Sequence, residues 1–204
     1  MNKMDEIIIV VDRQELFENE TLSFQGTVQD KGTVNQIIGN IARSFGIMRR
    51  GDAEENTDFK QPIPYAVIKR GNEIFVYERL KGAGEERLHN KLSLGIGGHM
   101  NPASTENFLD VLLDNLYREI EEELDIYSTV KPDLNIIGLI NDDSDDVGKV
   151  HLGVLAVLEV HKDTIIKVRE TEELDGEFVS IEEAKIPENY DCLENWSKIV
   201  VDIL

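Results

Sequence analysis

Cysteine is almost absent from this sequence, in which Cys192 is the single one among 204 residues. A lone cysteine excludes an intrachain disulfide, and it also excludes a zinc site built from several cysteine ligands. We interpret Cys192 as a small residue in a packed C-terminal segment.

Long apolar runs are missing as well. No stretch approaches the roughly 20 consecutive apolar residues that a membrane-spanning helix needs. The apolar residues 7–11 follow the acidic Asp5 and Glu6, and no signal-peptide cleavage pattern comes after them. The sequence therefore predicts a cytoplasmic protein without a membrane partner.

Basic residues are scarce: the sequence contains 21 Lys and Arg against 41 Asp and Glu, which gives a net charge of −20. Binding the backbone of DNA or RNA needs a basic surface, so this balance argues against a nucleic-acid polymer as partner. A small phosphorylated ligand is compatible with it if a metal ion screens the local charge. The hydrophobic share of 41% is that of an ordinary globular protein with a substantial core.

The pattern of apolar residues predicts an α/β protein. Strands are predicted at residues 6–12, in a hairpin of 65–70 and 73–79 joined by Gly71-Asn72, and near 92–96, 135–140, 150–160 and 177–181. Helices are predicted at 33–46 with Thr33 as the cap, from Ser104 or Thr105 to about Leu124, and at 190–203. The polar segments 49–61 and 141–149 are predicted to be exposed loops. We expect one domain over residues 1–204, with a mixed sheet between helical layers.

The long predicted helix carries both an apolar stripe and a group of carboxylates. Its stripe consists of Leu109, Leu112, Leu113, Leu116, Ile120 and Leu124. Glu119, Glu122 and Glu123 are spaced i, i+3, i+4 and lie on the flank of that stripe. The helix can therefore pack its leucines on a sheet and hold the three carboxylates at the edge of a cleft. Glu121 points elsewhere, and we expect it to be a surface residue.

The carboxylate group is a candidate metal site. Three clustered carboxylates repel one another unless a cation lies between them, and hard divalent cations prefer oxygen ligands. The earlier Gly97 and Gly98 let a backbone turn approach the same cation, and Arg118 stands next to the carboxylates, where a structural ion pair can fix the loop. A Glu-rich face in so acidic a chain is usually just solvated. The adjoining apolar stripe, the Gly-Gly turn and Arg118 together favour a metal site for a phosphorylated substrate.

This segment resembles the Nudix box, whose pattern is Gly, five residues, Glu, seven residues, and then Arg-Glu-apolar-x-Glu-Glu-x-Gly-apolar. Its second half is matched position by position by Arg118, Glu119, Ile120, Glu122, Glu123 and Ile126. Gly98 corresponds to the opening glycine, and Gly97 to the residue before it, whose carbonyl often assists the metal in the family. The box covers about 30 residues, and the order of the predicted strands around it is also similar to the family.

The box departs from the family pattern at three points. Gly98 and Arg118 are twenty positions apart where the pattern has fourteen, so six residues are inserted. Asp110 stands eight positions before Arg118, where the family has Glu, and the insertion makes Glu106 a rival for that place. Asp125 replaces the final glycine. The metal carboxylates are retained, whereas the loop that orients the substrate has changed.

The resemblance implies a Nudix-like α/β/α sandwich with a mixed sheet, on which the Nudix helix packs. The implied ligands of Mg²⁺ or Mn²⁺ are Glu119, Glu122, Glu123 and Gly97. The implied catalytic residues are Glu122, Glu123 and Arg118. Gly98 and His99 would bind the substrate, although an ordinary loop histidine is an equal interpretation of His99. Residues 1–60 would complete the fold or form a subunit contact, since the family often forms homodimers.

Other polar residues carry weaker signals. A later glutamate is often the general base in the family, which makes Glu170, Glu172 and Glu173 candidates, although each is also interpretable as a surface charge. His151 begins an apolar strand and is predicted to be a core or edge histidine. The acidic residues in 141–149 lack the spacing of a calcium-binding loop, so a solvated loop is the preferred interpretation.

The sequence supports three hypotheses about function. The first is a Nudix-type phosphoesterase that hydrolyses a nucleoside diphosphate linked to another group, with a metal-activated water as the attacking group. The second is a non-catalytic Nudix-fold domain that senses a nucleotide or mediates an interaction, and the insertion and Asp125 favour it. The third is an acidic helix without function in an unrelated α/β protein.

Overall fold

The structure is a computed structural model that describes residues 2–79, 91–105, 107–169 and 174–204. The strands are β1 (Ile7–Asp12), β2 (Gly26–Val28), β3 (Gly46–Arg49), β4 (Phe59–Arg70), β5 (Glu73–Arg79), β6 (Leu92–Ser93), β7 (Gly95–Gly97), β8 (Leu124–Tyr127), β9 (Asp133–Asn141), β10 (His151–Glu159), β11 (Ile165–Val168) and β12 (Leu174–Ser180). The helices are α1 (Arg13–Leu16), α2 (Lys31–Ser44), α3 (Arg50–Ala53), α4 (Phe108–Glu123), α5 (Asp146–Val150), α6 (Ile181–Ala184), α7 (Pro187–Tyr190) and α8 (Asn195–Val201). This architecture confirms the predicted α/β class. Among the described residues, no helix combines the length and the apolar character needed to cross a bilayer.

The chain divides into two compact units. The first unit consists of Met1–Tyr65, Gly97–Tyr117 and Ile137–Leu155. The second unit consists of Ala66–Ile96, Arg118–Ile136 and Ala156–Leu204. Residues 1–60 thus belong to the first unit, while the expectation of one domain over the whole chain stays a prediction.

The first unit is built around strand β1. This strand pairs antiparallel with β3 along Ile7–Val10, and its end continues onto β4, where Val11 lies opposite Lys60. Strand β2 pairs with the end of β9, and the strand order in this unit is β4-β10-β9-β2. Helix α2 packs on β1 through its buried side chains Val34, Ile37 and Ile41. The continuous apolar run Ile8–Val11 therefore places β1 in the core of the unit, as predicted.

Two local predictions for this unit are wrong. The cap of α2 is Asp30 and not Thr33, because Asp30 Oδ1 accepts the N–H of Thr33 at 2.9 Å. Segment 49–61 is not an exposed loop, because it contains α3 and the start of β4, in which Lys60 and Gln61 are buried. A buried lysine gives no apolar signal in the sequence, so the polar composition of this segment was misleading.

The second unit contains the predicted hairpin. Strands β4 and β5 pair through Lys69 opposite Ile74 and Arg70 opposite Glu73, around Gly71-Asn72. Strand β12 pairs with β5 over its whole length. A separate antiparallel pair of β8 and β11 was not predicted. It begins directly where α4 ends, so the carboxylate segment continues into a strand.

The C-terminal segment of this unit also differs from the prediction. Three short helices, α6, α7 and α8, occupy 181–201 in place of one helix over 190–203. Cys192 lies between two of them and is exposed, and its thiol donates to the carbonyl of Glu188 at 3.3 Å. The interpretation of Cys192 as a packed residue is therefore wrong, because the short helices leave its side chain at the surface.

Candidate functional site

The helix that carries the carboxylates, α4, begins later than predicted. Asn107 Oδ1 accepts the N–H of Leu109 at 3.1 Å in the first turn, whereas Ser104 and Thr105 lie before the helix. The buried face consists of Phe108, Val111, Leu112, Leu116 and Ile120. Leu109 was predicted to belong to this face but is 44% exposed. The apolar stripe is therefore real but is shifted toward Phe108 and Val111 at its start.

The end of α4, in the second unit, gathers charged side chains around Arg118. The guanidinium Nη1 lies 2.8 Å from Glu119 Oε1 and 3.3 Å from Glu122 Oε1. The Glu119 side chain is 13% exposed and that of Glu122 is 59% exposed, while Glu123 Oε2 is buried. Glu121 is exposed, as predicted. The side chains of the three glutamates thus differ in exposure, from the partly buried Glu123 and Glu119 to the exposed Glu122. Arg118 forms ion pairs with Glu119 and Glu122.

Asp125 occupies the place of the family's final glycine without backbone strain. It is not among the residues with positive φ, and it lies in β8 opposite Lys167 of β11. Its carboxylate accepts from Arg169 Nε at 2.7 Å, and the N–H of Arg169 donates to the carbonyl of Glu123 at 2.8 Å. A glycine is not required here because the chain leaves the helix directly into extended backbone.

The glycine turn of the box belongs to the first unit. A Cβ on Gly97 would lie 2.0 Å from the carbonyl oxygen of Pro64, so only glycine fits at this position. Gly98 and His99 follow it and are half-buried. Asp110 is exposed in the first turn of α4. The other candidates, Glu106, Glu170, Glu172 and Glu173, lie outside the described residues.

A second set of possible metal ligands is also found in the first unit. His99 Nε2 lies 3.2 Å from Glu54 Oε1 and 3.2 Å from His151 Nε2. His151 Nε2 lies 3.9 Å from Glu54 Oε2. Within the described ranges, this is the one group of three such residues whose ligand atoms all lie within 4.8 Å of one another. The side chains are 22% (Glu54), 14% (His99) and 9% (His151) exposed, so the cluster is largely but not fully closed to solvent.

The segment that carries His151 is held by a buried lysine. Lys60 Nζ donates to Asp143 Oδ1 at 2.6 Å, to the carbonyl of Gly148 at 2.8 Å and to the carbonyl of His151 at 3.2 Å. Burial lowers the pKa of Lys60, and the hydrogen bond to Asp143 opposes this shift. Burial alone would raise the pKa of Asp143, but hydrogen bonds from Arg13 and Lys60 outweigh it and lower the pKa to about 2. The interpretation of 141–149 as a solvated loop is therefore wrong for Asp142, which is buried, and for Asp143, which is half-buried, whereas Asp145 and Asp146 are exposed as that interpretation expects.

Helix α5 fixes the orientation of the His151 ring. Asp145 Oδ1 caps this helix by accepting the N–H of Gly148 at 2.7 Å. A Cβ on Gly148 would lie 1.7 Å from the carbonyl oxygen of Asp142, so only glycine allows this close approach. The ring nitrogen Nδ1 of His151 lies 2.7 Å from the carbonyl of Val147. Since a carbonyl only accepts, Nδ1 carries the proton and Nε2 points at the cluster.

Glu54 and His151 have the protonation states that metal ligands require at neutral pH. Burial would raise the pKa of Glu54, but the hydrogen bond from His99 and the charges of His151, His99 and Arg50 outweigh it and lower the pKa to about 2. Burial, together with His99, lowers the pKa of His151 to about 4. Glu54 is therefore ionised and His151 is neutral at pH 7, as metal coordination demands.

The sequence does not predict this cluster. Its patterns predict an exposed loop for the segment of Glu54 and a core or edge position for His151, and the family resemblance implies a substrate contact for His99. The burial of His151 is confirmed, but its partners are distant in the chain. Without a fixed spacing between such residues, a single sequence carries no signal that they meet.

Comparison with known proteins identifies relatives along the whole chain, although no family model matches it. The sequence is 49% identical to protein YmaB of Bacillus subtilis (strain 168) over 205 residues, which covers 100% of both chains. Tm1382, a proposed Nudix hydrolase, has a crystal structure that is similar at a TM-score of 0.77 and 27% identity, over 97% of each chain. A bifunctional NMN adenylyltransferase/ADP-ribose pyrophosphatase of Francisella tularensis shares the fold alone, with a TM-score of 0.51 and 14% identity over 71% of this chain and 41% of that chain. The chain thus belongs to the same family as YmaB and, through its fold, to the Nudix hydrolase superfamily.

Proposed function

We propose that this protein hydrolyses the diphosphate bond of a nucleoside diphosphate linked to another group, with Mg²⁺ or Mn²⁺ as cofactor. The observation that carries the proposal is the end of α4, where the Arg-Glu-x-x-Glu-Glu core stands beside a buried apolar face. Membership of the Nudix superfamily supports this assignment of the core.

The residues at the helix end fit a hard divalent cation. They offer carboxylate oxygens, which are the ligands that Mg²⁺ and Mn²⁺ prefer. Arg118 places a positive charge within 3.3 Å of both Glu119 and Glu122, which supports the proposal that this group of carboxylates attracts a cation. The proposed ligands at the helix end are Glu119, Glu122 and Glu123, while the predicted ligand Gly97 lies in the first unit.

The bound metal would polarise the diphosphate and lower the pKa of a water that attacks phosphorus. Within the chain, Glu122 and Glu123 would hold the metal and orient that water. Arg118 keeps Glu119 and Glu122 in place through its two ion pairs. The predicted substrate contacts Gly98 and His99 lie in the first unit, where Nε2 of His99 faces Glu54 and His151.

The test is a panel of nucleotides in Mg²⁺ or Mn²⁺, containing nucleoside diphosphates linked to sugars, nucleosides or phosphates. We expect wild-type protein to release phosphate-containing products from at least one member. Glu122→Gln should lower this turnover by at least about 100-fold, since it removes a metal-binding charge. Glu121→Gln is the matched control, because Glu121 is exposed on the same turn of the helix and is not a proposed metal ligand. Unchanged turnover in Glu122→Gln would contradict the assigned roles.

A non-catalytic nucleotide-sensing domain is the alternative. The changed loop and Asp125, which is tied to Arg169 by a 2.7 Å ion pair, favour it because they alter the part of the box that orients the substrate. Calorimetry separates the two functions. Tight binding of an intact nucleotide in Mg²⁺ without any cleavage across the panel would replace the hydrolase with the sensor.

A further inference from the structure

We infer that Glu54, His99 and His151 form a separate binding site for one divalent transition-metal ion of the Zn²⁺ type. None of the three belongs to the carboxylate set of α4. Two imidazoles and one carboxylate favour Zn²⁺, Co²⁺, Ni²⁺ or Fe²⁺ over Mg²⁺, because Mg²⁺ prefers oxygen ligands only. The site therefore differs in chemistry from the Mg²⁺ or Mn²⁺ site of the proposed hydrolase.

The distances within the cluster match the edges of a metal coordination shell. Two ligand atoms bound tetrahedrally to Zn²⁺ at about 2.0–2.1 Å lie about 3.3 Å from each other. His99 Nε2 lies 3.2 Å from both Glu54 Oε1 and His151 Nε2. The third separation, 3.9 Å between His151 Nε2 and Glu54 Oε2, needs only a rotation of the carboxylate. One ion can therefore contact all three side chains without a change of backbone.

The proton count in the cluster also favours a cation. His151 donates its Nδ1 proton to Val147, so Nε2 of the neutral ring presents a lone pair. Its contact with His99 at 3.2 Å then requires the proton of His99 Nε2, and the same nitrogen faces Glu54 at 3.2 Å. The single proton on His99 Nε2 is thus shared between two acceptors, His151 Nε2 and Glu54 Oε1. A metal ion in place of that proton would bind a lone pair of each of the three atoms.

Each ligand is anchored to a buried neighbour. Glu54 follows Ala53, which is fully buried at the end of α3, and His99 precedes Met100, whose carbonyl accepts from the N–H of Ile9 at 2.8 Å. The carbonyl of His151 is held by Lys60. Arg50 Nε lies 3.4 Å from Glu54 Oε1 and orients the carboxylate. The ligand positions are therefore fixed before a metal binds, which is what a selective site requires.

The site would hold three protein ligands and leave one coordination position open. Zinc sites with three protein ligands take water or a substrate oxygen as the fourth. The exposed fractions of the ligands, between 9% and 22%, leave access for such a molecule. A water or an anionic oxygen is therefore the fourth ligand of this inferred site.

The test is calorimetry of the metal-free full chain with Zn²⁺ in saturating Mg²⁺, together with the visible absorption of bound Co²⁺. We expect one equivalent of Zn²⁺ to bind, and to raise the melting temperature of the wild type. His99→Gln and Glu54→Gln should each weaken binding by more than about 100-fold, because loss of a ligand exceeds the 10–100-fold effect of losing its supporting contact. Both side chains are partly exposed, and circular dichroism verifies that each variant folds.

His161→Gln is the matched control, because His161 also faces a carboxylate, Asp163 at 3.3 Å, but is 41% exposed and outside the cluster. It should bind Zn²⁺ like the wild type, and so should Glu122→Gln. The inference is overturned if His99→Gln and Glu54→Gln retain wild-type affinity, or if His161→Gln loses binding as they do. Zinc binding that persists in Glu122→Gln supports the site even if the hydrolase proposal fails.

Discussion

The end of α4 and the Glu54–His99–His151 cluster both gather metal-binding groups, but they are assembled in different ways. At the end of α4, the period of one helix brings Glu119, Glu122 and Glu123 to one side, and Arg118 on the same helix pairs with two of them. In the cluster, each ligand follows or begins a different element, namely α3, β7 and β10. The first arrangement depends on local spacing, and the second depends on tertiary packing.

The charges that support the two sites also differ in burial. Arg118 is 35% exposed, whereas Lys60, which holds the segment of His151, is fully buried. Exposed ion pairs contribute little to stability, while removal of one partner of a buried pair is costly. The end of α4 should therefore tolerate the loss of Arg118, whereas the segment of His151 should be destabilised by the loss of Lys60.

Replacing the buried cation should produce the largest effect on stability. Lys60→Met should lower the free energy of unfolding by about 3 kcal/mol, because it removes one of the two cations that pair with Asp143 and takes a donor from the carbonyls of Gly148 and His151. Urea denaturation followed by circular dichroism measures this change. Lys149→Met is the control, since Lys149 pairs with Asp146 at the surface and should have almost no effect. Equal stability of both variants would remove the difference between the two regions.

Replacing the cation of the helix end should affect activity more than stability. Arg118→Met should lower turnover in Mg²⁺ by about 10–100-fold, because Arg118 orients two proposed metal ligands. The free energy of unfolding should change by under about 1 kcal/mol. Nucleotide hydrolysis and urea denaturation of the same preparation measure the two quantities. A large loss of stability with normal turnover would show that Arg118 is a structural residue.

The pH dependence of the free energy of unfolding should reveal the titration of the Asp143 carboxyl group. Its pKa in the folded protein is about 2, below the value of 3.8 in a model compound, so its contribution is complete above about pH 4 and is lost as pH falls toward 2. After allowance for solvent screening, the contribution is about 1 kcal/mol. Denaturation of wild type and Asp143→Asn between about pH 5 and pH 2 should give curves that converge on acidification. Parallel curves would show that the pairs with Arg13 and Lys60 do not stabilise the fold.

Sequence patterns predicted the elements whose signals are local. Strand β1 follows from a short apolar run, the hairpin of β4 and β5 from a two-residue turn, and the carboxylate helix α4 from its periodicity. The errors fall in polar segments. Lys60 can be buried because its charge is neutralised by Asp143, which lies 83 residues away in the chain. No local sequence pattern indicates such a distant partner. The same reason explains why the sequence does not predict the burial of Lys60 in segment 49–61 or of Asp142 in segment 141–149.

The sequence by itself determined the α/β class, the resemblance to the Nudix box and the side of α4 on which the carboxylates lie, because helical spacing fixes the direction of side chains. Only the tertiary structure brought Glu54, His99 and His151 together and supplied the buried Lys60 that holds His151. Contacts between distant segments depend on the packing of whole elements, and one sequence does not record which polar residues that packing buries.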